Sequence, residues 1–259
     1  MADYEFCKVE KEGRLTIVTI NRPEVMNALH PPAHFEFDKV WTEFAADPEQ
    51  WVAIITGAGD RAFSAGNDLK YQAAGHSRRR PHTGFAALTN RYDLDKPVIA
   101  AVNGIAMGGG FEIALACDIL IAAENAVFAL PEPRVGLMAG AGGVHRLPRQ
   151  IPLKQAMGMI LTGRRVGAQE GKELGFVNEV VPQGQAVEAA KRWAALVMEC
   201  SPMSIRASKQ AVYGGLSQPN VESAIRTVYP AQQAMIESED YIEGPKAFAE
   251  KRPPQWKNR

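Results

Sequence analysis

Two short segments, Trp51-Val52-Ala53-Ile54-Ile55-Thr56 and Val98-Ile99-Ala100-Ala101-Val102, constrain the fold of this chain more than any others. Each is a nearly continuous apolar run of strand length, rich in β-branched residues, with no polar face to turn towards water. Strands of that kind are buried on both faces, and such strands belong to parallel sheets whose crossover connections are helices. Leu15–Ile20 reads as a further strand stopped by Asn21-Arg22-Pro23, and residues 119–122 and 126–130 read as two more. Pro31–Ala46 carries Phe35, Val40, Trp41, Phe44 and Ala45 at roughly helical spacing and ends at Asp47-Pro48. Alternating strands and helices make an α/β protein. After about Val181 the pattern changes: 186–200, 205–213 and 221–238 read as helices, and no strand is expected beyond them. The expected organisation is a core over residues 1–200 and a helical C-terminal region over 201–259.

Composition narrows what such a core does. With 29 basic against 29 acidic residues the formal net charge is zero, so no global field draws the chain to nucleic acid or to an anionic membrane. An anionic ligand has to be caught by a local patch. Cys7, Cys117 and Cys200 are scattered and outside metal-ligand spacing, which reads as reduced thiols in a cytoplasmic protein. The histidines show no zinc spacing, so no metal is expected. Met1-Ala2-Asp3-Tyr4-Glu5 is acidic and lacks the apolar run of a secretory signal. The longest apolar stretch, 99–123, is broken by Asn103, a glycine cluster, Glu112 and Asp118, so no membrane span is expected. The one basic run, His76-Ser77-Arg78-Arg79-Arg80-Pro81-His82, reads either as a solvated loop or as a segment over a phosphate-bearing ligand.

The chemistry concentrates where a buried strand runs into Gly108-Gly109-Gly110 and then an apolar helix. Glycines let backbone N–H groups approach a ligand closely, and the first amides of a helix have no partner within it. Such a turn suits a phosphate or a developing oxyanion, although close strand–helix packing alone also explains it. Glu112 stands in the first turn of that helix among Phe111, Ile113, Ala114, Leu115 and Ala116. A lone acid on a helix apolar all round is expected to be buried, with its pKa raised towards the range useful for proton transfer. Glu132 sits between Pro131 and Pro133, which stiffen the backbone that aims it, and glycines 136, 140, 142 and 143 follow. A third segment, Ala62-Phe63-Ser64-Ala65-Gly66-Asn67-Asp68-Leu69, offers backbone N–H groups just past a strand. Gly57-Ala58-Gly59-Asp60-Arg61-Ala62 matches a dinucleotide-binding spacing, but no helix is expected after it, which counts against that use.

Residues 62–69, 96–118, 128–146 and 161–181, four motifs in order over nearly the whole chain, resemble the enoyl-CoA hydratase/isomerase (crotonase) superfamily. Within it, residues 84–89 leading into Leu94-Asp95-Lys96-Pro97, and the ending 238–252, look closest to carnitinyl-CoA dehydratases. The resemblance implies a crotonase-like spiral of ββα units with a C-terminal helical trimerisation region, assembled as a homotrimer or a dimer of trimers. It implies that Glu112 and Glu132 are the two catalytic acids and that the amides of Ala65 and Gly109 form the oxyanion hole. Ser64, Gly66, Asp68, Leu69, Gly108, Pro131 and Gly140 would line the acyl-CoA site, and Phe248 and Lys251 would contribute to it, often across a subunit boundary. The implied reaction is reversible hydration of a 2-enoyl-CoA, with carnitinyl-CoA dehydratase, isomerase or a non-catalytic binding role as alternatives. No cofactor is implied, since coenzyme A is part of the substrate. Ala139 stands where proline is usual, and Val144-His145 where Thr-Gln is frequent, which leaves the acyl group open.

Overall fold

The computed structural model describes residues 4–76 and 79–259. In chain order the strands are β1 (Cys7–Glu12), β2 (Leu15–Ile20), β3 (Val52–Gly57), β4 (Ala62–Ser64), β5 (Val98–Val102), β6 (Ile105–Met107), β7 (Ile119–Ala123), β8 (Val127–Ala129), β9 (Val166–Gly167) and β10 (Glu179–Val181). The helices are α1 (Pro31–Ala46), α2 (Leu69–Ala73), α3 (Gly109–Ala116), α4 (Gly143–Gln150), α5 (Leu153–Thr162), α6 (Ala168–Leu174), α7 (Ala186–Met198), α8 (Pro202–Gly215), α9 (Val221–Arg226), α10 (Pro230–Ile236) and α11 (Glu239–Ala249).

The strands form two sheets. The larger has the order β1-β2-β3-β5-β7-β10, antiparallel only between β1 and β2. The smaller has the order β4-β6-β8-β9, with β9 antiparallel. The chain lays one strand in the large sheet and the next in the small one, as in β3–β4–α2 and β5–β6–α3, which makes a spiral of ββα units. Apolar runs suit this plan because their alternate residues serve two cores. Ala53, Ile55, Ala100 and Val102 face the larger core with Phe37, Trp41, Phe111 and Phe128. Ile54, Ile99 and Ile121 face the other side, packed with Ala189, Ala190 and Ala194 of α7.

Two expectations are corrected. The stretch 221–238 is not one helix: it breaks between α9 and α10, where Tyr229 is extended and Pro230 opens the new helix. Proline lacks the N–H a continuing helix needs and disfavours helical angles in the residue before it. The glycine turn after β5 does not lead straight into a helix either, because Ile105–Met107 intervenes as β6 and carries the chain across to the small sheet. The dinucleotide-like spacing 57–62 connects β3 to β4 with no helix between them. No helix among the described residues is long and apolar enough to cross a membrane.

The C-terminal helices are tied back to the core. Lys209 Nζ donates to Asp118 Oδ2 and to the Lys96 carbonyl, both at 2.8 Å. The tail returns through Trp256 Nε1 on the Glu199 carbonyl (2.9 Å) and Asn258 Nδ2 on that of Pro48 (2.9 Å). Val212 in α8, Leu216 just after it, Val221 and Ile225 in α9, and Val228 just beyond are exposed.

A short stretch before α1 stitches the chain to the segment after β3. Asn27 is fully buried at φ 55°, in the left-handed region that asparagine tolerates better than most residues. Its Oδ1 accepts from the Arg22 amide (3.0 Å), and Nδ2 donates to the carbonyls of Ala58 (3.0 Å) and Ala62 (2.8 Å). Its own carbonyl accepts from Ser64 Oγ at 2.8 Å. Removing the amide leaves buried backbone groups without partners, so Asn27→Ala is expected to cost about 2–4 kcal/mol of stability. Denaturant unfolding measures this, and a loss below about 1 kcal/mol would show that the knot is not needed.

Candidate active site

The site is built on backbone meeting backbone. Strand β4 ends at Ser64, whose buried hydroxyl accepts from the Gly66 amide at 3.1 Å while donating to Asn27. Gly66 has φ 88°, and a Cβ there would lie 2.5 Å from the Met107 carbonyl oxygen and 2.8 Å from the Gly109 nitrogen. On the facing segment, a Cβ on Gly110 would collide with the Ser64 carbonyl. Glycine at 66 and 110 is therefore what lets the loop after β4 touch the first turn of α3.

That contact leaves two amides unspent. Gly109 is the first residue of α3, so its N–H has no acceptor within the helix. Asn67 bridges to Leu29 in parallel fashion, but the bonds run from Leu29 N to the Gly66 carbonyl (2.7 Å) and from Asp68 N to the Leu29 carbonyl (2.8 Å). The Asn67 amide points the other way and has no acceptor among the described residues. The amide of Ala65, expected as an oxyanion donor, is committed to the Met26 carbonyl at 2.9 Å. That expectation is corrected: the free donor of this loop is Asn67, two residues further on.

Two carboxyls face this turn. Glu112, in the first turn of α3, is 3% exposed, and its Oε1 accepts from the Gly143 amide at 2.8 Å. Burial raises its pKa to about 7 against the partial relief of the Gly143 hydrogen bond, and the nearby charge of Glu132 pushes it the same way. Glu132 opens a 3-10 turn, Glu132–Val135, preceded by Pro131. Its Oε1 would lie 2.9 Å from a Cβ on Gly108, so the carboxyl rests against that glycine, which has φ 52°. Its Oε2 is buried and has no hydrogen-bond partner among the described residues, and burial raises the pKa of the Glu132 carboxyl. Residues 139–143 close over Glu112: Ala139 is buried, and its Cβ would be 3.1 Å from one on Gly143.

Phe85 forms a wall beside the turn. A Cβ on Gly109 would come within 2.5 Å of the Phe85 ring. The ring is carried by a strained turn in which Ala86 and Ala87 have φ 48° and 51°. Such angles cost roughly 1–3 kcal/mol each and persist only where the surroundings impose them. Here Phe85 N donates to Thr89 Oγ1 (2.8 Å), Ala86 N to His34 Nδ1 (3.1 Å), and Trp41 Nε1 to the Ala86 carbonyl (3.0 Å).

Comparison with known proteins decides the family. The enoyl-CoA hydratase/isomerase family model matches residues 10–259. The chain belongs to that family. It is 44% identical to the carnitinyl-CoA dehydratase of Escherichia coli K12, over 98% of this chain and 99% of the relative. Among solved structures, an enoyl-CoA hydratase from Mycobacterium tuberculosis H37Rv superposes with a TM-score of 0.90 at 35% identity, covering 98% of this chain and 99% of that one. A carnitinyl-CoA hydratase from Mycobacterium avium does so at 0.79 and 43% identity, covering 99% and 100%.

The remaining expected residues of this family member divide into three groups. Ser64, Gly66, Gly108 and Pro131 sit in or against the turn just described. Asp68 caps α2 by accepting from Tyr71 N (3.0 Å) and pairs with Arg22 at 3.1 Å, and these bonds hold its pKa below the ordinary value despite burial that opposes them. Leu69 starts α2 and is 46% exposed, and Gly140 lies exposed on the loop over Glu112. Phe248 and Lys251 are not brought to this site by their own chain. Phe248 is 87% exposed, and neither has a bond or ring contact to Glu112 or Glu132. Among the described residues no group of three or more histidine, cysteine or carboxylate side chains is placed to hold a metal.

The raised pKa of Glu112 has a consequence for stability. Its carboxyl titrates near 4.5 when unfolded and near 7 when folded, so between those values the folded chain holds a proton that the unfolded chain releases. Stability is therefore fully present below about pH 4.5 and falls as pH rises through 7. Glu112→Gln removes that dependence. At pH 8 the variant is expected to be more stable than the wild type by roughly 2–3 kcal/mol, with little difference at the acid end. Unfolding curves at both pH values check this; a difference that does not change with pH would contradict the buried, proton-binding carboxyl.

Proposed function

We propose that this chain catalyses the reversible addition of water across the C2–C3 double bond of a 2-enoyl-CoA thioester. The observation that carries the reading is the pairing of a buried and a half-buried carboxyl, both of raised pKa, with two unspent backbone amides on one glycine-built turn. The thioester oxygen would accept from the amides of Asn67 and Gly109. Charge developing on that oxygen as C3 is attacked would then be met by donors already in place, each typically worth about 3 kcal/mol. Glu112 would take a proton from water as its oxygen bonds to C3, and Glu132 would give a proton to C2. Dehydration runs the same steps in reverse. Two carboxyls this close in an enclosed site hold one proton more easily than none, and that is the protonation state the reaction needs. Water, proton and thioester suffice for these steps, so no cofactor is invoked.

A second reading, carnitinyl-CoA dehydratase, is supported by the 44% identity to the E. coli enzyme of that name. It uses the same chemistry on a particular acyl group. The two-acid arrangement favours either over an isomerase and over a purely binding role. The exposed apolar residues of α8 and α9 support assembly as a trimer or a dimer of trimers. In such an assembly Phe248 and Lys251 would reach a neighbouring subunit's CoA site, and residues 201–259 would act as the oligomerisation region of the 1–200 core. Unpaired Cys7, Cys117 and Cys200 suit a cytoplasmic setting.

Glu112→Gln and Glu132→Gln are each expected to lower turnover of crotonyl-CoA by about 10²–10⁴-fold, the usual worth of a general acid or base. The wild-type rate should be bell-shaped in pH, with one limb near 7. Near wild-type turnover in either variant would refute the two-acid assignment.

A further inference from the structure

Helix α1 turns one side chain into the site that the hydration chemistry does not use. His34 is 1% exposed, and its Nδ1 accepts the Ala86 amide hydrogen, so the ring proton sits on Nε2. Burial, with Arg80 nearby, lowers its pKa to about 3, and the ring is neutral at physiological pH. The Nε2–H is buried and has no hydrogen-bond partner among the described residues. The His34 side chain lines a pocket together with Asn67, Asp68, Tyr71, Gln72 and Arg80. That pocket adjoins the reactive turn: Asn67 belongs to both, and the Phe85 ring that lies on Gly109 is 4.4 Å from the His34 ring.

The polar groups of the pocket are unbalanced. Asp68, its one acid, is already paired with Arg22 and caps α2. Asn67 Nδ2 donates to Gln72 Oε1 at 2.8 Å, which leaves the Gln72 NH₂ group as a donor. Arg80 lies over the Phe85 ring at 5.5 Å and makes no ion pair among the described residues. What remains inside the pocket is donors without acceptors and the positive charge of Arg80, whose negative neighbour, Glu112, lies outside the pocket's lining. The aromatic faces are taken as well, Phe85 by Arg80 and Tyr71 by His76 at 4.4 Å. A quaternary ammonium, which seeks open aromatic faces and negative charge, finds neither there.

We propose that this pocket is a carboxylate subsite, in which His34 Nε2–H and the Arg80 guanidinium hold a negatively charged group at the far end of the acyl chain. The substrate class is then an enoyl-CoA that carries a second, free carboxylate, in contrast to the quaternary ammonium named by the carnitinyl relatives. This rests on the hydration reading for where the thioester lies. A buried donor left unpaired in the empty site gains its acceptor when such a substrate binds, which rewards the correct acyl group and penalises one lacking the acceptor.

Calorimetric titration with three unreactive thioesters, glutaryl-CoA, butyryl-CoA and γ-butyrobetainyl-CoA, tests the subsite without turnover. The full-length wild type is expected to bind glutaryl-CoA at least tenfold more tightly than butyryl-CoA, and γ-butyrobetainyl-CoA most weakly. Arg80 is exposed, so its replacement does not threaten folding. Arg80→Gln should reduce the glutaryl-to-butyryl ratio at least tenfold, and Arg80→Glu should invert the order of the glutaryl and γ-butyrobetainyl esters. His34→Phe, verified as folded by circular dichroism, should lower the same ratio. Equal wild-type affinity for glutaryl- and butyryl-CoA, or a preference that survives Arg80→Gln, overturns the proposal. Crotonyl-CoA hydration measured in parallel separates the two claims. Hydration without carboxylate preference removes the subsite and keeps the reaction, whereas carboxylate preference without hydration keeps the subsite and removes the reaction.

Discussion

The contact on which the site depends is the approach of two backbone segments, 64–67 and 107–110, to a distance that no side chain permits. A Cβ at Gly66 or Gly110 would occupy space held by the other segment's backbone. The spiral of strands makes the approach possible, since β4 and β6 are neighbours in the small sheet and each hands the chain to one of these segments. The knot around Asn27 then fixes the first segment from behind, using Met26, Asn27 and Leu29 to take up the bonds of Ala65, Ser64, Gly66 and Asp68. The unpaired amides of Asn67 and Gly109 are what remains once those bonds are made.

Against this turn the fold sets two acids at positions where burial works against their charge. Near the start of α3 the helix dipole and the Gly143 amide favour the Glu112 anion, yet its nearly complete burial outweighs them and raises its pKa to about 7. Glu132 is held by the proline-flanked turn with one oxygen unpartnered. Burial destabilises the folded chain as pH rises through 7 and, in exchange, leaves a proton available where a substrate would need it. The strained turn at Ala86 and Ala87 is a second such concession, since it places Phe85 on Gly109 and fixes the tautomer of His34 in one arrangement.

Much of this was legible in the residues. Strands apolar on both faces announce a parallel sheet between two cores, and Ile54 and Ile55 do face different clusters. A single acid in an otherwise apolar helix announces its own burial, and Glu112 is buried. What was not legible depends on partners distant in the chain. Ala65 and Asn67 look alike as backbone donors; only the Met26 carbonyl, far back in sequence, distinguishes them. His34 reads as an ordinary helix residue until the strained turn at Ala86 claims one of its nitrogens. Pro230 was visible in 221–238, but the apolar spacing on either side of it suggested one helix where there are two. Of the basic run 76–82, Ser77 and Arg78 lie outside the described residues, while Arg80 reaches the pocket beside Phe85.

The central claim is that two backbone amides, from Asn67 and Gly109, stand ready for a thioester oxygen beside a pair of carboxyls. Infrared difference spectroscopy on a Glu112→Gln/Glu132→Gln double variant, which should hold substrate without turning it over, tests this directly. With crotonyl-CoA carrying ¹³C at the thioester carbonyl, the bound carbonyl stretch is expected to move to lower frequency than in free crotonyl-CoA, because two hydrogen bonds polarise it. A bound carbonyl at its solution frequency would contradict the claim.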